Sequence, residues 1–497
     1  MAFSDPKILE LIKAYRPIWA LSSSGALLEW DLEVNMPERA SESRGVIMAE
    51  LALIRQDRMK SVYPILEEAS ARSKDLNDEE RGVVRILERM KKYYTRIPPE
   101  LLEEEQRLAV EATIVWREAR KKSDFNQFKP YLERILALKI KEAEKLGYEN
   151  HPYNAMLDLG EEGFTVEDMD SMFSRMIPGL KKILEKTRVA KKFPSRHPLE
   201  EIKYDVGSMG VVNREITEIL DMPKDRFRMD TSTHPFMTGT SRDDIRITTR
   251  YEGVDFRNTM YSVIHESGHA IYELQLDEKL NYTPVSQAAS TGFHESQSRF
   301  WENIIGRSKG FVTLIKPLLM KNLSFLAPYD DDNELYQYVN LVRPGLIRVD
   351  ADELTYNFHI ALRYEIEKKL FDGKLSVGEL PSMWNDTMSD YLGITPHNDA
   401  EGVLQDIHWS GGSWGYFPTY SLGNIIGGMI WHNIRKDLDL EELAAKGNFT
   451  PIKTWLYDRI HRWGAIYPPK ELARKTLGES YNPERMLQYL EQKYVGK

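Results

Sequence analysis

The chain contains no cysteine, which excludes disulfide bonds and every cysteine-ligated metal site. Histidine and carboxylate must therefore do any metal work. No uninterrupted apolar run approaches the roughly 18 residues needed to cross a bilayer. The opening Met1-Ala2-Phe3-Ser4-Asp5-Pro6-Lys7 is charged early and has no apolar core, so it does not read as a secretory signal. Neither sign of charge dominates: 67 Lys and Arg stand against 77 Asp and Glu, a net charge of −10. Like charges never run on for more than a few residues, which argues against nucleic acid or a membrane as a partner. Internal repeats and low-complexity tracts are also missing, which disfavours a solenoid. These absences together describe a soluble, cytoplasmic protein.

What is present is a long chain, 497 residues and 41% hydrophobic, with ample material for a large core. The length suits two or three domains, or equally one large helical body. Residues 5–146 carry helical periodicity almost throughout. Ile8, Leu9, Leu11, Ile12, Tyr15 and Trp19 form one apolar stripe, and Ile47, Leu51, Ile54 and Met59 contribute to another. Asn77 with Glu80 is a capping-box variant that starts a helix over 78–95, and Pro98-Pro99 forces a break before a helix over 99–122. The periodicity lapses over 147–165 and resumes at Thr165, where Asp168 closes a capping box. In contrast, Asp244 to Tyr251 alternates apolar and polar with β-branched residues, which predicts a strand and a small sheet within 225–253. Helices are predicted over 311–327 and 351–371, and Ser376 with Glu379 repeats the box. Residues 393–419 form an aromatic, glycine-rich loop of a length that is usually functional. Helix returns over 420–497.

The stretch that carries chemistry is 260–304. It holds His265-Glu266-Ser267-Gly268-His269, an H-E-x-x-H motif. Met260, Val263, Ile264, Ile271 and Leu274 recur at helical spacing through 258–276, so the motif sits on a helix. Four residues is slightly more than one turn, which places His265 and His269 one above the other on one face, where two imidazoles can grip a divalent ion. Glu266 lies about 100° round the helix. It misses the ion but is within reach of a water there, as a general base requires.

Two histidines leave such a site one protein ligand short. No further histidine follows within a few residues, so the third ligand must come from elsewhere. Glu295, on a second predicted helix over 288–305, completes a His₂Glu set. Glu302 is its rival, two turns along on roughly the same face. His294 points to another face and reads as a packing or supporting residue. Zinc and cobalt both accept such donors, one ion per chain.

With these segments in view, the sequence resembles the carboxypeptidase Taq family of metallocarboxypeptidases. The likeness spans nearly the whole chain and rests on six blocks in the family's order. They are His234-Pro235-Phe236, Asp244 to Thr248, His265 to His269, His294-Glu295-Ser296-Gln297, Ile347 to Asp352 and Gly402 to Trp409. The resemblance implies a mainly α fold, a large helical saddle-like body with a deep active-site groove and a small β-sheet at its edge. It implies a single catalytic domain over 1–497, with 1–150 as scaffold, 225–253 as sheet and 255–425 as active-site region. It further implies a homodimer, the release of single C-terminal amino acids from peptides with broad specificity, and a metal held by His265, His269 and Glu295.

Hydrolysis also needs an oxyanion donor, and His408 and Tyr420 look like the His and Tyr pair of related groove peptidases, with Tyr416 as an alternative to Tyr420. A free C-terminal carboxylate calls for a guanidinium. Arg348 is the first choice and Arg246 the second. His234 is expected to line the pocket, and Asp352 to orient a neighbour or simply to cap a helix. A dipeptidyl carboxypeptidase or an oligoendopeptidase would use the same metal core, and a non-catalytic helical scaffold is the remaining alternative.

Overall fold

The N-terminal stripes fold into five long helices, Pro6–Val34, Ser41–Ala71, Asp78–Arg96, Pro99–Lys122 and Phe125–Leu146, in a computed structural model that describes residues 3–496. The caps read from sequence form as expected. Asn77 Oδ1 accepts from Glu80 N at 2.9 Å, and Glu80 returns a carboxylate oxygen to Asn77 N at 3.1 Å. At Thr165 the reciprocal bonds to Asp168 are 3.2 and 3.0 Å.

Two expectations need correcting. The second stripe is not core over its first half: Met59 is buried, but Ile47 and Ile54 remain 47% and 46% exposed. That helix packs chiefly on Pro6–Val34, and one neighbouring helix covers only one stripe. The lapse over 147–165 also contains a helix, Tyr153–Gly160, which buries Tyr153, Ala155, Met156 and Leu157. A helix of two turns between Pro152 and Gly163 is too short to show a period.

The predicted strand is β3, Asp244–Thr249, at the centre of a three-stranded sheet. It pairs in parallel with β1, Phe227–Thr231, and antiparallel with β2, Met237–Ser241, which bulges between Gly239 and Ser241. Ile245 and Ile247 point inward, as the alternation requires. β3 lies against the helix Arg257–Leu274, and Thr249 Oγ1 sits 3.0 Å from Thr259 Oγ1. The sheet thus supports the helix that carries the H-E-x-x-H motif.

The chain divides into two compact units, each assembled from separate stretches. One comprises residues 1–91, 197–339 and 430–480, the other 92–196, 340–429 and 481–497. These boundaries cut across the segments 1–150 and 255–425. The fold is mainly α with one small sheet. No helix among the described residues is long and apolar enough to cross a membrane.

Candidate active site

In the first unit, the motif helix Arg257–Leu274 is buried on nearly every side. Met260, Val263, Ile264, Ile271 and Leu274 form the expected apolar stripe, and Tyr261, Ser267, Gly268 and Tyr272 are buried as well. Gly268 is what lets the next helix approach. A Cβ there would lie 2.6 Å from Gln297 O and 2.7 Å from Ser298 Cα, both backbone atoms of the helix Thr291–Arg299. Gly268→Ala must therefore part the two helices. We expect weaker metal binding by ~10-fold or more, as for lost support around a ligand, measured by competition with a chromophoric chelator.

Because of that approach, both motif histidines reach Glu295. His265 Nε2 and His269 Nε2 lie 3.6 and 3.4 Å from Glu295 Oε2. One donor atom from each of the three residues falls within 4.8 Å of the others. Two imidazole nitrogens and one carboxylate oxygen converging in this way fit a divalent ion of the zinc type. Burial would raise the Glu295 carboxyl, but Arg299, His265 and His269 outweigh it and hold it well below the usual carboxylate range. Burial, with the His294 ring adding, pushes His269 down to about 3, which leaves its imidazole neutral, as a ligand must be.

Glu302 takes a different place from its rival Glu295. The helix Thr291–Arg299 continues as a π-helical turn, Phe300–Gly306, and the wider turn re-aims the side chains it carries, Glu302 among them. Glu302 Oε2 consequently meets the outer nitrogen of His265, Nδ1, at 2.9 Å. Arg307 Nη2 holds Glu302 Oε1 at 3.0 Å, and Arg299 bridges the two carboxylates, 2.7 Å to Glu295 Oε1 and 3.4 Å to Glu302 Oε2. His294 stacks on His269 with centroids 4.2 Å apart and lies 3.4 Å from Glu273 Oε1. Glu266 is 8% exposed, and burial pushes its carboxyl up to about 7 against the opposing pull of His265.

The second unit contains a separate polar cluster. Arg348 is buried on Asp406, with Nε 2.9 Å and Nη2 2.8 Å from Oδ1, and its Nη1 donates to Tyr356 Oη at 3.1 Å. Arg363 Nε takes the other oxygen of Asp406 at 2.7 Å. His408 Nε2 lies 3.3 Å from Tyr420 Oη, and the Arg348 guanidinium lies over the Tyr420 ring at 5.3 Å. Burial pushes His408 down to about 4, with the two arginines adding and Asp406 opposing. Its imidazole is therefore neutral at pH 7. The aromatic loop that carries His408 is anchored on buried Glu367, which accepts from Trp409 Nε1 at 2.7 Å and Gly415 N at 2.9 Å.

Residues 10–494 match the sequence profile of the carboxypeptidase Taq (M32) metallopeptidases. The chain belongs to that family. Thermostable carboxypeptidase 1 of Pyrococcus furiosus is 45% identical over 99% of both chains, and carboxypeptidase 1 of Bacillus subtilis 37% identical over 95% of both. Among solved structures, Pyrococcus furiosus carboxypeptidase superimposes with a TM-score of 0.97 at 45% identity, over 99% of this chain and 100% of that one. Metallocarboxypeptidase 1 of Trypanosoma cruzi does so with a TM-score of 0.93 at 34% identity, over 98% and 99%. The M32 chain is thus a metallocarboxypeptidase.

Not every residue singled out in this M32 sequence joins these clusters. Arg246 is engaged on β3, paired with Asp244 at 2.8 Å and lying 4.3 Å over the Trp30 ring. His234 is an exposed residue between β1 and β2, whose carbonyl accepts from Ser232 Oγ at 2.6 Å. Asp352 caps a turn, accepting from Leu354 N and Thr355 N at 3.0 Å each. Tyr416 is 39% exposed, and its ring lies 5.3 Å from Tyr420. Sequence reasoning passed over Arg299, Arg307, Arg363 and Asp406. Arg299 carried a local signal, the i,i+4 spacing from Glu295. Arg307 lies five residues from Glu302, a spacing that the periodicity of an α-helix does not bring together, and Arg363 carried no signal because its partner Asp406 is set by tertiary packing.

Proposed function

We propose that this M32 metallocarboxypeptidase releases single C-terminal amino acids from peptides with broad side-chain tolerance, through a divalent ion held by His265, His269 and Glu295. The observation that carries this reading is the convergence of those three donors at Glu295 Oε2. Such an ion supplies the Lewis acidity that activates water and polarises a scissile carbonyl. Glu266, buried beside His265 with its proton affinity near neutrality, takes a proton from the attacking water and delivers it to the leaving amine. Tyr420 and neutral His408, already within hydrogen-bonding distance of each other, donate to the developing oxyanion. Removing one such donor typically costs about 3 kcal/mol of barrier.

Arg348 anchors the terminal carboxylate in this scheme. Arg348, Arg363 and Asp406 sum to one positive charge, which suits a single bound carboxylate. Asp406 fixes one edge of the Arg348 guanidinium, so Arg348→Lys would lose the planar pairing as well as Arg348→Ala. For Arg348→Ala we expect KM for peptides with a free C-terminus to rise by ~10-fold or more, with little discrimination left against C-terminally amidated peptides. Unchanged discrimination would remove Arg348 from this role.

Zinc and cobalt are the ions proposed, since both accept this donor set, and metal analysis of the purified protein tests this. A cytoplasmic location is carried over from the reading of the sequence and a homodimer from the family resemblance, and light scattering on the purified chain tests the second. The cleavage rule is tested by mass spectrometry of a digested peptide. A ladder with successive losses of one C-terminal residue is expected. Losses of two residues, or internal cuts, would instead identify a dipeptidyl carboxypeptidase or an oligoendopeptidase built on the same core.

A further inference from the structure

A metal-ligating imidazole is ordinarily oriented by a partner on its other nitrogen. His265 has one in Glu302, 2.9 Å from Nδ1. His269 does not: among the described residues, no group lies within hydrogen-bonding reach of its buried Nδ1. Its ring lies flat on another ring instead. The His294 ring is 4.2 Å away and inclined by only 16°.

His294 is itself backed by further rings. Tyr272 follows at 6.0 Å and 29°, and His461 lies 4.6 Å from Tyr272 at 28°. Tyr272 and His461 are both 0% exposed. The far end of this column lies between two glutamine amides, and a neutral imidazole donates to only one of them. His461 Nδ1 lies 2.9 Å from Gln275 Oε1 and Nε2 lies 2.9 Å from Gln297 Oε1. Gln275 directly follows the motif helix, and Gln297 lies in the helix that carries Glu295. Gln275 is secured in turn, donating from Nε2 to Lys453 O at 3.1 Å. His461 therefore sits between Gln275 and Gln297, one just beyond and one within the helices that supply all three donors, with Tyr272 and His294 between it and His269.

We infer that the ring column His461, Tyr272 and His294 sets the plane of the His269 imidazole, with His294 as the positioning residue in direct contact. This rests on the reading of His269 as a metal ligand. Offset-stacked rings attract each other beyond their buried area, and a ring already held in its binding orientation loses less freedom when it takes up an ion. Stacking thus does for His269 what the Glu302 carboxylate does for His265.

The test compares His294→Ala with His294→Phe in the full-length protein, with Zn²⁺ and Co²⁺ as the probes. Zn²⁺ affinity is read by competition with a chromophoric chelator, and ligand geometry from the visible spectrum of the Co²⁺ form. His294→Ala is expected to bind Zn²⁺ about 10- to 100-fold more weakly and to shift the Co²⁺ bands. His294→Phe keeps a flat ring and loses both nitrogens, and it is expected to restore affinity and spectrum. Wild-type affinity and spectrum in His294→Ala would overturn the inference. So would a defect in His294→Phe as large as in His294→Ala, because the polar contact to Glu273 would then be what matters. His269→Ala separates the two levels. If it retains Zn²⁺ the ligand assignment itself fails, whereas if it loses Zn²⁺ while His294→Ala does not, only the column fails.

Discussion

Glu266→Gln is expected to keep its metal and lose turnover by about 10³- to 10⁴-fold, the upper part of the range for a positioned acid or base. The substitution is nearly isosteric, and Glu266 is not among the three converging donors, so metal content and melting temperature should match wild type. What disappears is the only function that needs a proton to come and go. Glu266 is 8% exposed, and burial has already raised its carboxyl to about 7, so it is poised to accept a proton and give it back. An amide can do neither. Steady-state kinetics on a short peptide, alongside metal analysis of the same preparation, checks this. Activity within tenfold of wild type at full metal occupancy would remove Glu266 as the base.

Glu295→Gln is expected to have the second large effect, through the ion rather than the proton. Glu295 supplies the single negative charge among the three donors, and its Oε2 is the point on which both imidazoles converge. Residues that merely support a ligand change metal affinity by roughly 10- to 100-fold, so loss of the ligand's charge should exceed that range. Activity at micromolar metal should vanish. Arg299 also loses a carboxylate at 2.7 Å, while its longer contact to Glu302 at 3.4 Å remains. Thermal melting with and without a chelator gives a readout independent of catalysis. A ligand at 1,000 times its Kd stabilises the folded state by about 4 kcal/mol, so a chelator should lower the melting temperature of the wild type and leave that of Glu295→Gln unmoved. Equal chelator sensitivity in both proteins would exclude Glu295 as a ligand.

The contrast between Glu295 and Glu302 shows where sequence reasoning stops. Both carboxylates could be placed on the helix after the motif, and both end up beside His265. Which one joins the Nε2 side and which one the Nδ1 side depends on the π-helical turn that contains Glu302 and on the backbone contact at Gly268. Neither feature has a periodic signature. The same limit explains Tyr153–Gly160, too short to show a period, and the exposed Ile47 and Ile54, whose stripe was legible although its covering partner was not. Arg246 and Arg348 were likewise alike as arginines in promising blocks. Packing laid one over Trp30, beside its strand neighbour Asp244, and gave the other to Asp406 beside His408 and Tyr420.

What the residues determined unaided was everything that local geometry controls: two imidazoles one turn apart with a carboxylate between them, the caps at Asn77 and Thr165, and the alternation of β3. A period of 3.6 or of 2 is written into consecutive residues and needs no distant partner. Only the tertiary structure decided which carboxylate converges with the two imidazoles, what lies against each of their rings, and which arginine stands with His408. Those outcomes depend on how closely separate helices can approach, and that is set by single atoms at their contact, such as the missing Cβ of Gly268.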